Sequence, residues 1–335
     1  MMKVWMRLLL AAVLFFAAVA CGGDDDDADA TGTDTGSPSA PADDEGDGDE
    51  PIALTITAED YTFDAAEELD GGIVELTLAN EGNFVHEAGF IKVADDYDLE
   101  TFEEDFSTVI EGGPIPESLE TITGVGDTEP GAESTSTITL PEGNYVLFCS
   151  LDDSAGDEGE DGEGEEGEGP EGAAEGDQPT PPPHYTLGMA QMVSVTGGAD
   201  AAAADIESDG VIQAVDYGFE VPELEAGSRT LTFENTSDEQ LHHGIFFEFP
   251  EGTDEAAAQE ALQGLLASEG GPPPEGTPEP DEAGFTFVFG PGMGGTFELE
   301  LESGRTYGVV CFIQDRTGGP PHVVAHEMAE FFTVG

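Results

Sequence analysis

Positive charge is almost missing from this chain. Of 335 residues only 6 are Lys or Arg, against 75 Asp or Glu, a formal charge of -69 with histidine neutral. Binding nucleic acid through its phosphates needs the opposite surface, so that class is excluded. Lys3 and Arg7 sit in the first segment, leaving Lys92, Arg229, Arg305 and Arg316 for the remainder. Such a surface suits high salt, where ions screen self-repulsion, and it would steer a basic partner.

Cysteine is scarce too: three residues are too few for a disulfide framework. Missing as well are a Gly-rich phosphate loop, a nucleophile elbow and a paired-histidine zinc motif. The apolar run LLLAAVLFFAAVA behind Lys3 and Arg7 is too short to span a bilayer comfortably and reads as a signal peptide over 1–21. Its end, Ala18-Val19-Ala20-Cys21, resembles a bacterial lipobox. That resemblance implies lipidation of Cys21 and an exported chain anchored to the extracytoplasmic face of the membrane.

Residues 22–51 are Asp, Gly, Thr, Ser, Ala and Pro with almost nothing apolar, a composition that cannot bury enough surface to fold. They read as an acidic tether. A second acidic tract, about 152–180, reads as a disordered insertion, and Ala- and Gly-rich residues 197–210 read as a linker. Between and beyond these lie two regions of domain size, 52–196 and 211–335.

The two regions carry one pattern. GNYVLFCS at 143–150 leads to PPPHYTLGMAQMVSV, and RTYGVVCF at 305–312 leads to PPHVVAHEMAEFFTV. DYTF at Asp60 returns as DYGF at Asp216, and His86 returns as His242, both displaced by 156 positions, the mark of duplication. Short alternating segments punctuated by Gly and Pro predict strands: Tyr145, Leu147 and Cys149 share one face, as do Tyr307, Val309 and Cys311. Leu99, Phe102, Phe106 and Val109 fall at helical spacing, and Thr253 is placed to cap a helix carrying Ala258, Leu262 and Leu265.

All six histidines (His86, His184, His242, His243, His322 and His326) fall near these two patterns. A thiolate, imidazoles and a thioether brought to one place suit copper in a trigonal site with a weak axial Met. Here the chain resembles the cupredoxins, the blue copper proteins such as plastocyanin and halocyanin. That resemblance implies an all-β chain of two tandem Greek-key sandwiches, each with a short inserted helix. It implies copper ligands His86, Cys149, His184 and Met189 in the first half, and His242, Cys311, His322 and Met328 in the second. The second set stays open at two points: His243 could replace His242, and His326 could replace Met328. Met192 and Met293 read as packing residues and Glu87 as a solvated neighbour. The Cys-to-His segment is longer than in that family, about ten residues in the second half and over thirty in the first.

The implied function is type 1 copper electron transfer outside the membrane, with a basic redox partner such as a cytochrome. Alternatives are copper storage or delivery, and a metal-free scaffold for envelope interaction or ligand binding. Phe148, Ser150, Val310 and Phe312 flank the cysteines where two-domain copper enzymes set a histidine, so the chain is expected not to be an enzyme.

Overall fold

The computed structural model describes residues 50–155, 181–198, 201–268 and 276–335. The expected signal peptide with Cys21, the tether up to residue 49 and positions 156–180 of the acidic insertion lie outside the described residues. Among the described residues no helix is long and apolar enough to cross a membrane.

The first half contributes β1 (Ile52–Glu59), β2 (Thr62–Asp64), β3 (Glu68–Asp70), β4 (Gly72–Asn80) and β5 (His86–Val93), then helix α1 (Leu99–Ile110). It continues with β6 (Leu119–Thr128), β7 (Glu133–Leu140), β8 (Gly143–Phe148) and β9 (Ala190–Thr196). The second half contributes β10 (Val211–Val215), β11 (Gly218–Glu220), β12 (Gly227–Asn235), β13 (Ile245–Glu248) and helix α2 (Glu255–Ala267). It ends with β14 (Asp281–Phe285), β15 (Gly294–Leu301), β16 (Thr306–Val310), the one-turn helix α3 (His322–Ala325) and β17 (Ala329–Thr333). The architecture is the expected one, cupredoxin-like all-β sandwiches with short helices.

Among the described residues, three sheets form the layers. One runs β3-β9-β8-β5-β6 in the first half, and another β14-β13-β16-β17 in the second. The third is continuous across both halves, in the order β11-β10-β12-β15-β7-β4-β1-β2. Its join is the antiparallel contact of β15 with β7 at Gly295 and Ile138. Side chains reinforce it: the Ser136 hydroxyl donates to Thr296 O at 2.7 Å, and the Gly294 amide donates to Thr139 Oγ1 at 3.0 Å. Arg316 reaches across from the second half, its guanidinium donating to the carbonyls of Leu119 and Glu120 at 2.9 and 2.5 Å. Of the 197–210 stretch, residues 203–205 form a 3-10 turn, and Ala203 and Ile206 are buried.

Alternation places the core. In β4, Val74, Leu76 and Leu78 are fully buried while Glu75 faces out. The strand bearing each cysteine is covered on both sides. Tyr145, Leu147 and Cys149 face the central core, whereas Val146 and Phe148 pack under α1 against Phe102 and Phe106. Likewise Tyr307, Val309 and Cys311 face the core and Val310 lies under α2 with Ala258, Ala261 and Leu262. The helices are amphipathic inserts whose apolar stripe closes the outer face of that strand. Asp98 caps α1 by accepting from the Thr101 amide at 2.9 Å. For α2 the cap is Asp254, accepting from the Ala257 amide at 2.9 Å, and not Thr253: a carboxylate one position later reaches the orphan amide.

Candidate metal centre

Each half gathers a cysteine and two histidines at one end of its sandwich. Asn80, at the end of β4, shapes the loop that delivers His86: its amide group donates to Phe84 O at 2.8 Å and Thr128 O at 2.7 Å. Asn235 does the same for His242, donating to Gln240 O and Phe289 O at 2.8 and 2.7 Å. Gly82 passes directly over the His86 ring, since a β-carbon there would stand 2.9 Å from His86 Nε2. Only glycine permits that approach.

The Cys–His–Met loops close identically. Cys149 N donates to Met189 O at 3.2 Å, Tyr185 N to Cys149 O at 3.0 Å, His184 N to Leu151 O at 2.8 Å and Met189 N to His184 O at 3.0 Å. In the second half Cys311 N donates to Met328 O at 3.3 Å, Val323 N to Cys311 O at 3.0 Å, His322 N to Ile313 O at 2.7 Å and Met328 N to His322 O at 3.3 Å. Met328 thus takes the place of Met189 despite one extra residue after the histidine. The extra residue is absorbed by the α3 turn and by Glu327 at φ 56°, where the first loop has Gly188 at φ 110°. Both methionines are fully buried beside their cysteines in the central core.

In the first cluster Cys149 Sγ lies 3.4 Å from His184 Nδ1 and 3.8 Å from His86 Nδ1, and the two Nδ1 atoms are 3.1 Å apart. In the second, Cys311 Sγ lies 3.6 Å from both His242 Nδ1 and His322 Nδ1. All six side chains are buried. His243 and His326 both lie outside the second cluster. His243 points away from Cys311 and accepts from the Phe312 amide at 2.9 Å through Nε2. His326 lies at the surface, stacked on Tyr217 at 3.7 Å with Nε2 3.0 Å from Asp315 Oδ2. Glu87 is buried, not solvated: its carboxylate accepts from Ser150 N at 2.9 Å and from the Ser150 hydroxyl. Met192 is half-buried against the α1 cluster, and Met293 is buried in the central core.

The environment is dry, and titration follows from that. Burial, aided by His184, lowers His86 to about 4; burial, aided by His322 and His243, lowers His242 to about 3. Burial lowers His322 to about 4 and pulls His184 down as well. The rings are therefore neutral at physiological pH, each with a lone pair to offer. Burial pushes the Cys311 thiol up to about 12 and Cys149 higher still, so a thiolate forms there only when a cation displaces its proton. The donors fit copper. In the first cluster one soft sulfur and two imidazole nitrogens stand 3.1 to 3.8 Å apart, and in the second the sulfur stands 3.6 Å from each nitrogen, the spacing of ligands that each approach one ion at about 2.0–2.3 Å. Among the described residues, His86 Nε2, His242 Nε2 and His322 Nε2 have no hydrogen-bond partner.

Four residues at these clusters escaped the sequence reading. Asp153 Oδ1 is 3.2 Å from His184 Nε2, and Asp315 Oδ1 is 3.5 Å from His322 Nε2. Tyr61 and Tyr217 donate their hydroxyls to those same carboxylates. The repeated Asp-Tyr pair at Asp60 and Asp216 held the signal for the tyrosines; among 75 acidic residues nothing marked out the aspartates.

No known family profile matches the chain, and no curated protein matches it. Solved structures do. The Na-dithionite reduced auracyanin of Roseiflexus castenholzii is 24% identical, covering 38% of this chain and 95% of its own, with a TM-score of 0.25. Auracyanin A, a blue copper protein of Chloroflexus aurantiacus, is 21% identical, covering 38% of this chain and 100% of its own, at 0.22. A multicopper oxidase is 13% identical and spans 84% of this chain and 88% of its own, at 0.23. With an enzyme among the matched structures, the expectation that the chain is not an enzyme is set aside, and the match assigns no activity to this chain. The residues flanking each cysteine bear on one way of wiring two centres, and they leave chemistry at either centre untouched.

Proposed function

We propose that this chain is a tandem type 1 copper protein that exchanges electrons on the extracytoplasmic side of a membrane, anchored there through Cys21. The observation that carries the reading is the convergence of one thiol and two imidazole Nδ1 atoms in a dry pocket, built twice from the same loop hydrogen bonds. Copper would be held by His86, Cys149, His184 and Met189, and by His242, Cys311, His322 and Met328. It would supply one-electron exchange, with the methionines as weak axial donors. The chain's own part is to fix three strong donors in advance, exclude water and keep both imidazoles neutral. A metal-free scaffold would have its histidines well beyond coordination distance of the cysteines, and the distances of 3.4 to 3.8 Å are the reverse of that. The acidic surface would speed encounter with a basic redox partner such as a cytochrome.

Metal analysis with a visible spectrum tests this. Recombinant protein supplied with Cu(II) is expected to bind two ions per chain and to show intense thiolate-to-copper absorption, halved by Cys149→Ser or Cys311→Ser and abolished by both. A colourless, copper-free product would overturn the reading.

A further inference from the structure

We propose that Asp153, locked by Tyr61, is a positioning residue for His184, that Asp315 with Tyr217 is its looser counterpart beside His322, and that the tighter lock gives the first centre the lower reduction potential. The potentials rest on the copper reading above; the positioning role does not.

His184 is fully buried, with Nδ1 turned to Cys149 and His86. Its other nitrogen, Nε2, stands 3.2 Å from Asp153 Oδ1. A carboxylate only accepts, so Nε2 carries the proton and Nδ1 keeps its lone pair for the pocket. The Tyr61 hydroxyl donates to Asp153 at 2.9 Å (Oδ1) and 3.1 Å (Oδ2), and its ring stands edge-on to His184 at 5.3 Å. Three segments far apart in the chain therefore fix one imidazole. The second half repeats the trio: Tyr217 donates to Asp315 Oδ1 at 2.8 Å and stands edge-on to His322, also at 5.3 Å. Two independent copies of Tyr, Asp and His in one arrangement mark a device, not a by-product of abundant acid.

The copies differ in strength. Asp153 serves one imidazole at hydrogen-bond distance. Asp315 stands 3.5 Å from His322 Nε2, beyond a hydrogen bond, and gives its other oxygen to His326 at 3.0 Å. A carboxylate on the outer nitrogen raises ligand basicity and favours the more highly charged, oxidised ion; removing such a partner costs about 10- to 100-fold in metal affinity. The first centre should then favour oxidised over reduced copper more strongly than the second.

The test uses the full chain in two arms. In copper-free protein with neutral imidazoles, 15N NMR should find His184 as the Nε2–H tautomer, and Asp153→Ala should move it toward Nδ1–H while Asp153→Glu restores it. In copper-loaded single-centre chains, Cys311→Ser, which keeps the first centre, should show the lower potential and Cys149→Ser the higher. Adding Asp153→Ala should raise the first by a tenfold change in relative affinity, about 59 mV for one electron, with Tyr61→Phe smaller in the same direction and Asp315→Ala smaller again at the second centre. An unchanged tautomer overturns the positioning role. Potentials that ignore Asp153→Ala in a chain that still binds copper overturn the tuning. A wild-type chain that shows the tautomer but takes up no copper supports the positioning role and sinks the copper reading together with the potentials.

Discussion

Glu87 and His243 occupy the same place in the two halves, one position after the first histidine of each cluster, and they do the same job with opposite chemistry. Each accepts from the amide just beyond the cysteine, Glu87 from Ser150 N and His243 from Phe312 N, both at 2.9 Å. Glu87 is buried and His243 is partly buried, and desolvation pushes each toward its neutral form: burial and nearby Asp127 raise Glu87 to about 7, and burial lowers His243 to about 3. Desolvation sets a preference for an uncharged acceptor at both positions. Acid satisfies it by holding a proton and base by releasing one, so pH should strain the two halves in opposite directions.

The largest way to break that comparison is acid. His243 binds fewer protons folded than unfolded below its ordinary 6.5, so stability present above 6.5 is lost as pH falls toward about 3, on the order of 5 kcal/mol in full. Hydrogen exchange of β13 and β16 amides in copper-free protein should accelerate over that range, and His243→Gln, which keeps an acceptor, should slow the acceleration. Equal acid response in the wild type and His243→Gln would end the argument.

Next in size is the packing under the helices. The first half places aromatic rings there, with Phe106 4.7 Å from Phe148 and 5.3 Å from Tyr185, where the second uses Ala258 and Ala261. Phe106→Ala should cost about 3–5 kcal/mol in urea unfolding. A loss below about 1 kcal/mol would mean that the aromatic cluster is slack.

Base comes third. Glu87 keeps its proton up to about 7 in the folded chain against 4.5 ordinarily, so its contribution is complete below 4.5 and is lost as pH rises through 7, about 3 kcal/mol. Melting temperature compared between wild type and Glu87→Gln should diverge with rising pH across that window. The smallest difference expected is between the helix caps: Asp98→Ala and Asp254→Ala should each cost about 1 kcal/mol, since both accept one amide at 2.9 Å. Unequal values would show that one helix is held by its cap and the other by its packing.

Much of this was legible in sequence because it rests on periodicity. Alternation at Tyr145, Leu147 and Cys149, helical spacing at Phe102 and Phe106, and the crowding of six histidines near two repeated patterns each report a local cause. What was illegible depends on contacts between distant segments. Glu87 looks like any of the other acidic residues until Ser150 is folded against it. Met328 is buried beside Cys311 while His326 stays at the surface, and that depends on a left-handed backbone at Glu327, a residue with no propensity for it. The pairing of β7 with β15, which makes one sheet of two halves, leaves no mark in either strand alone.

The amide of His184 is tied to the carbonyl of Leu151, a residue only two positions past Cys149. The knot is therefore drawn between described residues on either side of positions 156 to 180. With copper held as proposed, a protease cut in that stretch should leave two fragments gripping each other with their colour intact, and a tag spliced there should ride along without dimming it.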